Sequence, residues 1–374
     1  MVDGSEVGQP RIRLQLYSQS PSIPSIYRRV SEKTYRAGVI GLGVMGSIAD
    51  GMGGRHPEWF RPCCHAETYL FHAGTELVAG STRDLGRQRL FREKYGNLPV
   101  YEDYREMLTQ EDLDIVSIAT PAVCHSEMVL AAVDSGVRGI YCEKAMAVSI
   151  AECDVMNAAC EKAGVVLAIN HQRRWDDRFR ALKRLVDEGV IGKLQSIQVS
   201  FGGGRLCRGG SHMFDLSLML CGDQIAQGCG WLSDPEAFDP GGIGLFETTE
   251  NMRIVIDGSV GMRHAFQLEI AGERGVIRIV DGGFKFELWT QDERSEFGQL
   301  ALRHLPMNYP VGNPMVNAVD DLVRCMEKGG CPLSSGLDGQ KSFEMITAIH
   351  LSHREGRAFV KFPVQEKGLM IPSN

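Results

Sequence analysis

A glycine-spaced turn, set between a short apolar run and a helix-compatible stretch, constrains this chain more than any other feature. Ala37-Gly-Val-Ile-Gly41 runs directly into Gly41-Leu-Gly43-Val44-Met45-Gly46, which is followed by Ser-Ile-Ala. The first glycine allows a tight turn, the second lets backbone approach a pyrophosphate, and the third lets the helix pack close to the strand. The amides at the helix start then face the anion. Such a spacing is also compatible with a plain strand–helix turn, and its setting decides between the two. Further apolar runs follow at Glu76–Gly80, Asp114–Ala119, Gly139–Cys142 and Val165–Ile169, with helix-like stretches over 103–111, 125–136 and 149–163. Near-continuous apolar strands alternating with amphipathic helices predict a parallel sheet covered on both faces.

The pattern changes after about residue 170. A helix is expected over 176–189, then strands over 194–201, 225–232, 245–257, 259–270, 274–280 and 283–290, a mostly antiparallel sheet. Helices near 313–328 and 339–355 and a strand at 359–363 close the chain. Residues 1–34, rich in Ser, Pro and Gln, read as an arm; 35–169 and 170–374 read as two domains, as 374 residues suggest. With 43% hydrophobic and 23% charged residues the chain can build sizeable cores. Its 40 basic and 47 acidic residues give a net charge of −7, so no basic field attracts nucleic acid or an anionic membrane surface. No run of 18 apolar residues predicts a transmembrane helix, and the first residues lack a secretory h-region. The 11 cysteines are diluted and partly set in apolar runs, as at Cys142, Cys160 and Cys221, which points to a reducing cytoplasm.

The second strand ends in Ser81-Thr82-Arg83-Asp84. A site selective for NAD places a carboxylate just past this strand, to accept from the ribose 2′-hydroxyl. Thr82 takes that position with Arg83 beside it, which suits a 2′-phosphate and leans the cofactor towards NADP; the alternative gives Asp84 the acidic role. Residues 51–74 form an insertion holding His56, Cys63, Cys64, His65 and His72. Their spacing does not match a structural zinc site, so no metal is expected and the segment reads as a loop packing on its own core.

The remaining strands end in polar motifs: Thr120-Pro121 with His125, Glu143-Lys144, and Asn170-His171-Gln-Arg173-Arg174-Trp175. Strand carboxyl ends are where ligands bind in such sheets. A lysine there is placed to exchange a proton with a hydroxyl or carbonyl. The second half contributes Arg208-Gly-Gly-Ser-His212-Met-Phe-Asp215. Blander readings stay open. Lys144 can be a solvated strand-end lysine, His212 a structural histidine and Asp215 a helix-stabilising acid. Arg173, Arg174 and Trp175 can be a helix-start surface.

In this order, the glycine fingerprint, Ala-Thr-Pro-x-x-x-His, Glu-Lys-x, Asn-His-x-x-Arg and Gly-x-His-x-x-Asp resemble the Gfo/Idh/MocA family over about residues 35–365. The resemblance implies an α/β chain: an N-terminal Rossmann NAD(P)-binding domain and a C-terminal α+β domain with an open, mostly antiparallel sheet. That sheet often forms the interface of a homodimer or homotetramer. It also implies bound nicotinamide and sugar or cyclitol substrates, with Lys144 and His212 in the site. Cofactor contacts then fall on the glycine turn including Val44 and Met45, on Ser81 to Arg83, on Thr120, Pro121 and His125, and on Glu143 and Lys144. Substrate contacts fall on Asn170, Arg173, Trp175, Arg208, His212 and Asp215. Two positions depart from the family pattern: Ala145 stands where Glu-Lys-Pro has proline, and Arg208 where Asp-x-Gly-x-His has aspartate.

The expected function is NAD(P)-dependent hydride transfer at a secondary hydroxyl of a sugar, glycoside or cyclitol, with Lys144 as general acid/base. Two alternatives share the fold: redox-neutral glycoside cleavage through transient oxidation, elimination and reduction, and a non-catalytic sensor. The arginines at 173, 174, 205 and 208 suggest an acidic substrate, with pairing to Asp215 or Glu247 as the competing account.

Overall fold

The computed structural model describes residues 33–49, 61–222, 224–261, 266–280, 283–292, 295, 297–303, 305 and 312–373. The expected arm, apart from its last two residues, and His56 of the insertion lie outside the described residues.

The first half forms a six-stranded parallel sheet of β1 (Tyr35–Ile40), β2 (Thr75–Ser81), β3 (Val100–Tyr101), β4 (Ile115–Ile118), β5 (Gly139–Cys142) and β6 (Val166–Ile169). Its order, β3-β2-β1-β4-β5-β6, is that of a dinucleotide-binding sheet. Helices α2 (Leu85–Tyr95), α3 (Tyr104–Gln110), α4 (His125–Asp134) and α5 (Ile150–Ala163) connect the strands. α5 shows how such a helix is bounded: Ser149 Oγ accepts from the Glu152 amide at 3.2 Å, and Gly164 ends it at φ 69°.

The insertion differs from the expected self-contained loop. Val44–Ile48 form one short π-type turn after the glycines, and the part of the insertion that is described contains a helix, α1 (His65–Phe71). α1 buries Ala66 and Tyr69 in the core that β1 shares. It packs against α8 (Pro314–Lys328), which returns from far along the chain to cover the same sheet. Met315, Ala318, Val319, Leu322 and Val323 of α8 belong to the same core as Tyr35, Ala37 and Val39 of β1.

The second sheet has nine strands in the order β14-β13-β12-β11-β7-β10-β9-β8-β15. They are β7 (Leu194–Gly202), β8 (Ile225–Leu232), β9 (Gly242–Thr248), β10 (Arg253–Val260), β11 (Phe266–Gly272), β12 (Gly275–Val280), β13 (Lys285–Gln291), β14 (Leu300–Arg303) and β15 (Val360–Lys361). Every pair is antiparallel except β7 with β10. The expected strand over 245–257 is two strands, because Asn251 at φ 62° turns the chain and Thr248 Oγ1 accepts from the Met252 amide at 3.1 Å. Helices α6 (Asp177–Asp187), α7 (Ser211–Cys221) and α9 (Gly336–Arg354) complete this half, and α9 packs on β8, α7 and α5. No helix among the described residues is long and apolar enough to cross a membrane.

Candidate active site

The carboxyl ends of the parallel strands gather the motifs along one edge. At the glycine turn, Gly41 has φ 91°, and a Cβ there would stand 2.7 Å from the Ala119 carbonyl oxygen. A Cβ on Gly46 would lie 1.8 Å from Gly41 O, so this residue is held to glycine by the turn folding back on itself. Gly43 is different. Only the Arg87 guanidinium comes within 4 Å of a Cβ there, at 3.6 Å, leaving an open cradle edged by a cation. Val44 is exposed and Met45 half-buried on its rim. An open, amide-lined turn beside a guanidinium fits a dinucleotide's pyrophosphate.

At the end of β2, Ser81 is buried, Thr82 half-buried and Arg83 exposed. Asp84 caps α2, its Oδ1 accepting from the Arg87 amide at 3.0 Å. Its carboxylate also lies 3.7 Å from the Arg87 guanidinium. The acid nearest the ribose position is therefore engaged with its own helix, while Arg83 and Arg87 present two cations on the same rim.

The turn after β4 and the loop after β5 are joined by His125. Its Nε2 lies 2.8 Å from Thr120 O, and its Nδ1 lies 3.1 Å from Ala145 O and 3.2 Å from Met146 O. The ring is buried, and burial holds its pKa below the ordinary value against the pull of these carbonyls. His125 thus braces Thr120-Pro121 against the loop that carries Lys144. The Lys144–Ala145 peptide is cis.

Glu143 and Lys144 follow β5. Burial drives the Glu143 pKa up, but hydrogen bonds from His65 and Asn170 and the nearby Lys144 charge outweigh it and leave the group at about 2. Lys144 points into the cleft and donates from Nζ to Arg208 O at 2.6 Å. Burial lowers its pKa below the usual lysine value, with Glu143 opposing.

Past β6, Asn170 and His171 are buried. His171 Nδ1 lies 3.3 Å from Asp215 Oδ1 on α7, and its Nε2 is buried with no hydrogen-bond partner. The His212 ring stands edge-on to it at 5.9 Å, and His212 Nδ1 is likewise buried and unpartnered. Burial, with Arg174 and Lys144 nearby, pulls His171 down to about 3. Burial and the Arg173 and Lys144 charges hold His212 far below its ordinary value. Both imidazoles are neutral at neutral pH. The same Nδ1 of His171 also lies 3.4 Å from Ser334 Oγ, which can donate or accept, so the buried Nε2 is the ring nitrogen left without a protein partner.

The four arginines separate. Arg174 is bound by Asp215 at 2.8 Å and Asp338 at 3.0 Å. Arg205 and Arg208 are exposed; what Arg208 brings to the site is its main-chain carbonyl. Arg173 lines a cavity of about 280 Å³ together with Met45, Cys63, Gln172, His212 and Asn313. It makes no ion pair among the described residues, its Nε is buried without a partner, and its guanidinium lies over Phe179 and Phe266. Trp175 has no face towards this cavity: it is buried, donates Nε1–H to Asp321 at 2.9 Å and meets Tyr141 edge-on. Among the described residues no group of three or more His, Cys, Asp or Glu is placed to hold a metal ion.

Three residues of this site were not singled out for it by sequence reasoning. His171 had a usable signal, since it stands between Asn170 and the arginines at a strand's carboxyl end. Arg87 and His65 had none, because what they face is set by the fold.

The profile of the Gfo/Idh/MocA oxidoreductases, an oxidoreductase family with an NAD-binding Rossmann fold, matches residues 35–171. The chain is 30% identical over 312 residues to D-apiose dehydrogenase of Paraburkholderia graminis, an alignment covering 76% of this chain and 82% of that enzyme. It is 26% identical to myo-inositol 2-dehydrogenase of Thermotoga maritima, covering 86% of this chain and 97% of that enzyme. Aldose–aldose oxidoreductase of Caulobacter crescentus, solved with glycerol, has the same fold, with a TM-score of 0.73 over 88% of this chain and 100% of that one at 21% identity.

Proposed function

This chain belongs to the Gfo/Idh/MocA oxidoreductase family, and from that premise we propose that it interconverts a secondary hydroxyl and a ketone on a sugar, glycoside or cyclitol, using NADP in preference to NAD. The observation that carries this reading is the convergence of Lys144, His171 and His212 on one cleft, at the strand ends flanking the glycine cradle. D-apiose dehydrogenase and myo-inositol 2-dehydrogenase, by their names, act on a sugar and a cyclitol.

The glycine turn with Val44 and Met45, the Ser81–Arg83 rim, and the loops at Thr120–Pro121 and Glu143–Lys144 are the groups that would hold the cofactor. When bound, its nicotinamide supplies the hydride chemistry. Lys144 exchanges the proton of the substrate oxygen at Nζ, accepting it in oxidation and returning it in reduction. A lysine amine lowered by burial performs that exchange closer to neutral pH than a solvated one. His171 meets a substrate hydroxyl at Nε2, and neutral His212, edge-on to it, orients the same substrate. Arg173 meets the substrate at the far end of the cavity. Thr82, Arg83 and Arg87, with Asp84 committed to its helix cap, favour a 2′-phosphate.

The test is a screen of neutral and acidic sugars and cyclitols with NAD and with NADP, following reduced-cofactor absorbance and identifying products. Lys144→Met is expected to lower kcat/KM by about 10²–10⁴-fold while cofactor affinity is retained. A variant within about threefold of wild type overturns the assignment of Lys144. Released aglycone without net cofactor reduction replaces the dehydrogenase reading with redox-neutral cleavage.

A further inference from the structure

The insertion delivers a histidine beneath the loop that carries Lys144. His65 opens α1 and is fully buried. Its Nδ1 lies 2.8 Å from Ser117 Oγ on β4, and its Nε2 lies 3.1 Å from Glu143 Oε1. Ser117 Oγ in turn meets Tyr69 Oη at 2.6 Å, one turn along α1. From the other side, Asn170 Nδ2 donates to Glu143 Oε1 at 2.7 Å, and Tyr141 Oη donates to Asn170 Oδ1 at 2.6 Å.

The direction of the bond to Glu143 follows from the one group that only accepts. Ionised Glu143 requires the hydrogen of His65 on Nε2. The other ring nitrogen, Nδ1, meets Ser117 Oγ, and the same hydroxyl meets Tyr69 Oη, so the ring is held at both nitrogens.

What this network withholds is equally informative. Glu143 and Lys144 are neighbours in sequence, yet Nζ forms no ion pair with the carboxylate; it donates to Arg208 O, while only the Lys144 amide reaches Glu143 Oε2, at 3.3 Å. We propose that His65 is a positioning residue for Lys144: by occupying Oε1 it keeps the Glu143 carboxylate turned away from the ammonium, so that Lys144 can exchange its proton. The proposal rests on the reading of Lys144 as the acid/base.

Facing Lys144 are Glu143 and Asp239, which favour the ammonium, and Arg208, which opposes it, with Cys207, His171 and His212 alongside. Facing Glu143 are His65, Lys144, Tyr141, Cys142 and His125. Of these, His65 and Lys144 can compete for the carboxylate as donors over a short swing of its own side chain.

The test uses the full chain and two substitutions that divide the imidazole. His65→Asn keeps a polar atom towards Ser117 and loses the donor to Glu143; His65→Gln keeps a donor in the place of Nε2. The pH midpoint of Lys144 acetylation by trace acetic anhydride, read by peptide mass spectrometry, reports on the amine without turnover. The acid limb of kcat/KM reports on it during turnover, and melting temperature and cofactor affinity serve as controls. In His65→Asn both midpoints are expected to rise by about one pH unit, tenfold in the proton equilibrium, as the freed carboxylate captures the ammonium. His65→Gln is expected to restore them. Identical midpoints in wild type and His65→Asn, or equal shifts in Asn and Gln, overturn the proposal. If His65→Asn does not fold, Ser117→Ala, a smaller change that removes the hydroxyl holding Nδ1, must raise the acetylation midpoint; no movement overturns the proposal. An acetylation midpoint that moves while kcat/KM does not would sink the acid/base reading instead and leave the positioning intact.

Discussion

Asp215 Oδ1, on α7 three residues beyond His212, lies 3.3 Å from Nδ1 of His171. The carboxylate missing at position 208 is thus not replaced next to His212. Instead, an acid further along the helix lies beside a different histidine, from the end of β6, whose Nε2 is buried without a partner. Two imidazoles, both held below their ordinary pKa by burial, lie near Lys144, and a carboxylate stands beside only one of them.

The depressed histidine sets an acid limit on stability. Its folded pKa of about 3 lies below its ordinary 6.5, so between those values the unfolded chain binds more protons and stability falls as pH falls. The contribution is fully present above about pH 6.5 and lost progressively towards pH 3. Urea unfolding from pH 7.5 to 4 is expected to show a shallower decline in His171→Gln than in wild type. Parallel curves would mean that His171 titrates normally.

Cofactor choice is expected to follow the rim after β2. Thr82→Asp with Arg83→Ala should shift the NADP-to-NAD ratio of dissociation constants towards NAD by about tenfold, or about 1.4 kcal/mol. The introduced acid accepts from a free 2′-hydroxyl and repels a phosphate. Adding Arg87→Ala should extend the shift. Isothermal titration of both dinucleotides decides it, and an unchanged ratio would move the ribose-reading role elsewhere.

Any preference for an acidic substrate should run through Arg173, since Arg174 is already neutralised and Arg208 is exposed. Comparing a neutral hexoside with its uronide, Arg173→Ala should lower the acidic-to-neutral ratio of kcat/KM by about tenfold, the loss of one charged contact. Arg208→Ala should leave that ratio within about twofold. The opposite ranking would return the role to Arg208.

Trp175→Phe should destabilise the fold by about 1–3 kcal/mol without changing kcat, because it leaves the buried Asp321 carboxylate short of a donor. Chemical denaturation and steady-state kinetics, run on the same preparation, separate the two effects. A large loss of kcat at unchanged stability would put the indole back in the substrate site.

Both sheets and the strand-end positions of Lys144 and Asn170 could be read from the sequence because they rest on local signals. The apolar runs are short, bounded and alternate with helical periods, and polar motifs at their ends stand out against them. The division of 245–257 into β9 and β10 was missed although Thr-Thr-Glu-Asn carries turn chemistry, since the flanking β-branched residues continue the strand pattern across it. α1 was not legible at all. Cys-Cys-His-Ala-Glu-Thr-Tyr has no clear amphipathic period, and the partners of His65 lie 52 and 78 residues away. Its buried histidine looks like metal-ligand chemistry in sequence and becomes a hydrogen-bond donor only once β4 and β5 are alongside.

The return of α8 to the first sheet has a consequence for how the chain comes into being. Domains generally fold as units during synthesis, the N-terminal one first. Here the core that β1 shares lacks Met315, Val319 and Leu322 until residues 315–322 have left the ribosome. The first sheet therefore waits for α8, and a fragment ending at residue 171, where the family match ends, should leave the core of Tyr35, Ala37 and Val39 incomplete. Cutting there should give an aggregating fragment rather than a portable cofactor-binding module.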